Sequence, residues 1–327
     1  MFFYFYFVKC FDKIVMEGEI MDKLKVVFMG TPLFSVNVLN ALANNYDVVL
    51  VVTAPDAYVG RKKVLTPCDV KRRALELGIP VSSPVKVCAD YEDILNAKPD
   101  VIITCAYGQI VSKDILDIPK YGCINIHASL LPKYRGGAPI HYALINGEEE
   151  TGVTLMYMDE GMDTGDMLVS ERIKIEDNDN IEILSDKLSV LGSKMIVNYL
   201  EDIINGKIVG VKQDNDKATF ARIIKRSDEH LDFNVSNRDV YNKFRALSPS
   251  PLPNFIMDDA EFKIAECQLC DKEGNASEII SEGKDYFVIG CVSGSIKVTK
   301  IKPSGKNIMS VKDFKNGYGS LLGKVLK

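Results

Sequence analysis

Short apolar runs alternate with helical patterns through the first two thirds of the chain, and this alternation restricts the fold more than any other feature. Lys25 to Met29 reads as a buried strand, and Gly30-Thr31-Pro32 turns it into a helical pattern carrying Val36, Leu39, Ala41 and Leu42. Val48 to Thr53, Val101 to Cys105 and Cys123 to Ile126 read as further strands, and Val70 to Leu77 as a helix. Apolar strands separated by helices must be covered on both faces, so the expected class is α/β, with a doubly wound, mainly parallel Rossmann-like sheet. No G-x-G-x-x-G marks the first strand-to-helix turn, so a dinucleotide is not expected.

Strand-like alternation resumes at Val153, Leu155 and Tyr157, breaks from Asp159 to Gly165, and continues from Met167 to Ile175. Leu184, Leu188, Leu191, Met195, Tyr199 and Ile203 then recur at helical spacing, with Asn180 as the predicted cap and Gly206 as the stop. Beyond Gly210 the character changes to a polar stretch, a helical pattern over Val240 to Leu247, and short strand-like segments at Asp285 to Cys291 and Ser295 to Ile301. A small β barrel or sandwich is expected there. With 327 residues the chain exceeds what one core accommodates. The expected division is an extension over 1–20, a catalytic unit over 21–209, a linker over 210–222 and a second domain over 223–327.

A formal charge of -5 means that any nucleic-acid contact must use local basic patches. Eight cysteines without regular spacing suggest thiols in a reducing cytosol, hence a cytoplasmic protein. Cys267 and Cys270 form a lone C-x-x-C without the further ligands a zinc site needs, so no metal is expected. Met1 to Val8 is apolar but far shorter than the ~20 residues that span a bilayer, and no arginine precedes Arg61, so neither membrane insertion nor a mitochondrial presequence is expected. Met21 is the expected functional start.

Three histidines occur, His127, His141 and His230. His127 stands two residues after Asn125 at the end of a predicted strand, where i and i+2 side chains share a face and where open α/β sheets bind ligands. An amide and an imidazole aimed at one point can hold a developing oxyanion and move a proton. Asp163, within Gly161-Met162-Asp163-Thr164-Gly165, offers a carboxylate partner for the imidazole.

The run Asn125-Ile126-His127-Ala128-Ser129-Leu130-Leu131-Pro132-Lys133-Tyr134-Arg135-Gly136, then Ala138-Pro139-Ile140, and later Met158 to Met167, closely resembles the folate-dependent formyltransferases. The resemblance extends from about Lys23 to the end. It implies that Asn125, His127 and Asp163 are catalytic, that Ser129, Leu130, Leu131 and Pro132 contact folate, and that Tyr107, Gly108 and Ile110 line the pterin pocket. The implied donor is 10-formyltetrahydrofolate and the implied acceptor is the amino group of methionyl initiator tRNA; separately, a monomer is expected.

The three catalytic positions name the reaction but not the acceptor, because formyltransferases acting on glycinamide ribonucleotide or UDP-amino sugars share them. Two features favour tRNA. Arg61, Lys62 and Lys63 form a basic loop that resembles the family's tRNA-acceptor loop, with slightly different spacing. The second domain is lysine-rich from Lys297 through Lys300, Lys302, Lys306, Lys312 and Lys315 to Lys324 and Lys327, and the resemblance makes it an OB-like, tRNA-holding barrel. Where the family has an Asn-Pro-Trp-Pro-Gly turn, this chain has Ser248-Pro249-Ser250-Pro251-Leu252-Pro253, and it contains no Trp. An amino-sugar formyltransferase and a catalytically silent RNA-binding protein are the alternatives.

Overall fold

In the computed structural model, residues 23–60 and 62–327 are described. The order is β1 (Lys25–Gly30), α1 (Val36–Asn45), β2 (Asp47–Val52), β3 (Ala57–Val59), β4 (Val64–Thr66), α2 (Asp69–Glu76), β5 (Val81–Ser82), α3 (Glu92–Ala97), β6 (Val101–Cys105), α4 (Lys113–Leu116), β7 (Cys123–His127), α5 (Pro139–Ile145), β8 (Glu150–Tyr157), β9 (Met167–Lys174) and α6 (Ile181–Ile204). After them come α7 (Asn237–Leu247), β10 (Asn254–Met257), β11 (Ala260–Cys270), β12 (Ile279–Glu282), β13 (Phe287–Gly290), β14 (Ser295–Pro303), β15 (Met309–Ser310) and α8 (Val311–Tyr318).

Seven strands form the first sheet in the order β5-β2-β1-β6-β7-β8-β9. Strands β5 to β7 run parallel, while β8 and β9 are antiparallel additions at the edge. Alternate residues of these strands enter two separate cores. Val26, Phe28, Ile124, Ile126, Val153 and Leu155 pack with α1 and α6 on one face, whereas Val27, Met29, Ile102 and Cys123 pack with Ile94 of α3 and Ile115 of α4 on the other. Apolar side chains on both faces explain why the parallel strands read as continuous hydrophobic runs.

Helix α6 starts where Asn180 Oδ1 accepts the Ile183 N–H (2.9 Å), and Gly206, at φ +71°, follows its end. Its buried stripe passes through Leu184, Leu188, Gly192, Met195, Ile196, Leu200 and Ile203, leaving Leu191 and Tyr199 only partly covered. The predicted stripe had the right face and drifted by one position midway.

The basic segment predicted as a loop is the tip of a small hairpin, because β3 and β4 pair antiparallel on either side of it. Tyr58 stands opposite Leu65 and Val59 opposite Val64, and all four side chains are exposed. Lys62 and Lys63 occupy the exposed turn, Lys63 with φ +48°, and Arg61 lies outside the described residues. The predicted extension over 1–20 and the start at Met21 also lie outside them.

The second domain is one antiparallel sheet, β10-β11-β14-β13-β12 with β15 on β14, around a separate core that includes Phe255, Phe262, Phe287, Ile296 and Phe314. Its edge strands are joined by the chain end. Lys327 exchanges backbone hydrogen bonds with Ile256 of β10, while Ile279 of β12 donates to the Lys324 carbonyl and Leu326 donates to Ser277. The tail thereby occupies both open edges and makes the sheet barrel-like. Cys267 and Cys270, three residues apart on β11, face opposite sides, Cys267 into the core. Helix α7 joins the domains, with Val240 and Phe244 in the barrel core and Ala246 in the core under α6. In the Ser248–Pro253 turn, Leu252 is buried and donates to the Leu247 carbonyl (2.8 Å).

Four of the eight lysines named in the second domain are offset by carboxylates. Lys300 pairs with Glu266, Lys315 with Glu282, Lys324 with Asp258 and Lys327 with Asp259, because acidic residues distant in sequence fold against them. Lys302 and Lys312 are exposed with no ion pair among the described residues.

Candidate active site

On the second sheet face the helical cover of α3 and α4 reaches as far as Cys123 of β7. Ile124 and Ile126 of β7 point into the α6 core, so Asn125 and His127 emerge together on the opposite face. Three loops converge there: 128–138 after β7, 158–166 between β8 and β9, and the polar stretch 211–222 after α6.

Asn125 is oriented from behind. Thr104, its register partner on β6, donates its hydroxyl to Asn125 Oδ1 (2.9 Å), which turns the Nδ2 donor outward to within 3.4 Å of Asp163 Oδ1. His127 is nearly buried, and its Nε2 lies 2.9 Å from the Tyr134 carbonyl oxygen. A carbonyl only accepts, so Nε2 carries the hydrogen and Nδ1 is the nitrogen left to face Asp163 Oδ1, at 3.7 Å. Asn125, His127 and Asp163, the three candidate catalytic residues, are therefore brought together.

Asp163 takes a left-handed conformation (φ +54°), and its Oδ2 accepts the Gly136 N–H at 2.8 Å. Asp159 Oδ1 ties the same loop by accepting from the Gly161 N–H (3.0 Å) and the Thr164 hydroxyl (2.7 Å). Two glycines are sterically required. A Cβ at Gly165 would sit 1.9 Å from the Tyr157 carbonyl oxygen, and one at Gly136, where φ is +112°, would sit 2.7 Å from that of Ala221. The Tyr134 backbone that receives His127 is also left-handed (φ +61°) and is anchored by its phenol donating to Glu148 (2.6 Å). Burial, reinforced by that carboxylate, pushes the Tyr134 phenol up to about 12, so it remains a donor at neutral pH.

The residues expected to contact folate divide by direction. Ser129 and Leu131 turn inward: the Ser129 hydroxyl donates to the Lys133 carbonyl (2.7 Å) and Leu131 N–H to Thr154 Oγ1 (3.3 Å), while Leu130 and Pro132 stay partly exposed. The Tyr107 side chain packs into the core beside α3 and α4, and burial pushes its phenol up to about 12. Gly108 and Ile110 stay at the surface, and a Cβ at Gly108 would meet nothing within 4 Å, so the outer side of this loop is open.

Sequence reasoning did not find Thr104, the Gly136 N–H or the Tyr134 carbonyl. The last two act through backbone atoms, which leave no mark on residue type. Lys62 and Lys63 belong to the separate β3–β4 hairpin, with no hydrogen bond to the three central side chains among the described residues.

The family described as formyl transferase matches residues 23–200, and its C-terminal domain matches residues 223–319. A methionyl-tRNA formyltransferase of Listeria monocytogenes is 47% identical over 307 residues, covering 93% of this chain and 98% of that protein. One from Bacillus licheniformis is 46% identical over 308 residues, covering 92% and 98%. Among solved structures, the N-formyltransferase of Helicobacter canadensis in complex with folinic acid and dTDP-3-aminofucose aligns with a TM-score of 0.65 at 23% identity, covering 85% of this chain and 98% of that one. HypX of Aquifex aeolicus in complex with tetrahydrofolic acid aligns with a TM-score of 0.62 at 14% identity, covering 92% and 48%. At such identities the structural likeness is one of fold.

Proposed function

This chain belongs to the formyltransferase family, and from that premise we propose that it transfers the formyl group of 10-formyltetrahydrofolate to the amino group of methionyl initiator tRNA. The observation that carries the acceptor is similarity to methionyl-tRNA formyltransferases across both domains and nearly their whole length. The amino-sugar reading rests on likeness of fold alone.

When bound, the folate supplies a formyl carbon activated for transfer to an amine. The partly exposed faces of Leu130 and Pro132, with Gly108 and Ile110, are the residues that would hold it. As the amine attacks, charge grows on the formyl oxygen, and the outward Nδ2 of Asn125 is the preset donor for it, since Thr104 already occupies Oδ1. With its Nε2 hydrogen committed to Tyr134, His127 reaches the reacting groups only through Nδ1, which in the neutral ring accepts a hydrogen bond from the attacking amine. The attacking nitrogen must lose a proton, for which Asp163 Oδ1, facing both Asn125 and His127, is the proposed acceptor, directly or through water; passing that proton to the donor nitrogen as its bond to the formyl carbon breaks releases tetrahydrofolate.

Lys62 and Lys63, with Arg61, are assigned to acceptor phosphates, and the second domain to holding the tRNA body. A cytoplasmic monomer is the proposed working form. The deciding assay supplies the purified chain with 10-formyltetrahydrofolate and, separately, methionyl initiator tRNA, a UDP-amino sugar and glycinamide ribonucleotide. Formylation of tRNA alone is the expected result, and preference for either small acceptor would overturn the assignment.

A further inference from the structure

The stretch 211–222 crosses the site as a strap. Arg135 donates its backbone N–H to the Thr219 carbonyl (2.8 Å), Ala221 donates to Arg135 (2.7 Å), and Ala138 donates to Ala221 (3.0 Å). Beneath this pairing the Arg135 guanidinium is almost fully buried, and no carboxylate pairs with it among the described residues. Its side-chain acceptors are neutral amides: Gln213 Oε1 receives Nε (3.0 Å) and Nη2 (2.8 Å), and Asn215 Oδ1 receives Nη2 (2.9 Å).

Burying a cation against neutral amides is costly, so the arrangement calls for a reason beyond packing. Gln213 supplies one. Arginine has donors only, so the Gln213 oxygen must face Arg135 and its nitrogen must point the other way. There Nε2 donates to the Asp163 carbonyl (2.8 Å) and the Gly165 carbonyl (2.8 Å). Both Gln213 lone pairs and both its amide hydrogens are thus used. The two carbonyls belong to the left-handed Asp163 and to the glycine whose Cβ would strike Tyr157.

We propose that Arg135 and Gln213 are positioning residues for the transfer reaction, Arg135 fixing the Gln213 amide so that Gln213 holds the Asp163 carboxylate in its reactive place. The inference rests on the catalytic reading of Asp163 given above. It goes beyond that reading by giving part of the control to Gln213 of the strap, which lies outside both matched family regions, while Arg135 lies within the first.

Gln213→Glu is the discriminating change, because a carboxylate still accepts from Arg135 but cannot donate to the Asp163 and Gly165 carbonyls. The expected outcome is a folded protein with each substrate's KM within about twofold of the parent and a single-turnover rate lower by about 10- to 100-fold, the scale of an ångström-sized misplacement. Because the effect runs through Asp163, the same change should cost little in an Asp163→Asn background. Should Gln213→Glu fail to fold, the Arg135→Met/Gln213→Met double variant removes the buried charge together with its main acceptor, and the same rate loss is expected. A parental rate in a folded Gln213→Glu or double-Met protein overturns the proposal, as does an equal loss in both backgrounds. If Asp163→Asn itself keeps the parental rate, the catalytic reading of Asp163 falls first, which the single variant distinguishes from failure of the strap alone.

Discussion

Asn125 and Thr104 offer a graded test of how the oxyanion donor is set. Asn125→Ala deletes the Nδ2 donor and should lower the single-turnover rate by about 10²- to 10³-fold, the usual cost of one preorganised oxyanion donor. Thr104→Val keeps the buried shape and removes only the hydroxyl that occupies Asn125 Oδ1 at 2.9 Å. One neutral hydrogen bond contributes about 1 kcal/mol net, and about 1.4 kcal/mol corresponds to a tenfold change, so the expected loss is about fivefold. The alternative Thr104 acceptor, Met158 Sδ at 3.2 Å, is a weaker one and does not alter that figure. Transfer of radiolabelled formyl to methionyl-tRNA, with donor and enzyme saturating, reads both numbers. An Asn125→Ala enzyme at the parental rate would remove Asn125 from the chemistry. Equal losses in the two variants would contradict the division between donor and orienting group.

Three further outcomes are expected from the same geometry. Replacing Arg61, Lys62 and Lys63 with alanine should raise the KM for tRNA, leave that for folate unchanged, and reduce the logarithmic salt slope by roughly 0.9 for each duplex phosphate that is no longer neutralised. In salt-dependent tRNA binding, Lys302→Ala/Lys312→Ala should reduce the slope, whereas Lys324→Ala/Lys327→Ala should leave it nearly unchanged, because Asp258 and Asp259 already offset those two charges. Burial lowers the His141 pKa, so the unfolded chain binds a proton first as pH falls; the stability of the neutral form is full above the unfolded value of about 6.5 and is lost as pH drops through the folded one, and His141→Gln should flatten urea midpoints measured from about pH 7 to 5.

What could be read in advance was whatever leaves a side-chain pattern. Strand β6 follows from the apolar run Val101 to Cys105, and the shared direction of Asn125 and His127 follows from a period of two on β7. The β3–β4 hairpin escaped because three-residue strands with exposed side chains do not stand out from a loop. Tyr107 was placed by motif position, which fixes the backbone but not the rotamer, and its ring turned into the core beneath the loop. The lysine strip looked continuous because Glu266, Glu282, Asp258 and Asp259 reach their partners only after the barrel forms.

The strap exposes a more general weakness in reading polar segments as connectors. A polar stretch between two patterned regions lacks the side chains that make a core, so composition assigns it to solvent. Here polarity is what binds it: Gln213 spends its amide on two loop carbonyls and a guanidinium, while Arg135 and Ala221 pair through backbone atoms. None of those interactions requires an apolar residue or leaves a periodic trace. A cut made at Gly210 would therefore remove the support of the Asp163 loop along with the second domain, and loss of formylation by such a fragment would not separate tRNA holding from chemistry. Point changes that leave the strap in place, such as those at Lys302 and Lys312, make that separation because the Gln213 hydrogen bonds to Asp163 and Gly165 remain intact.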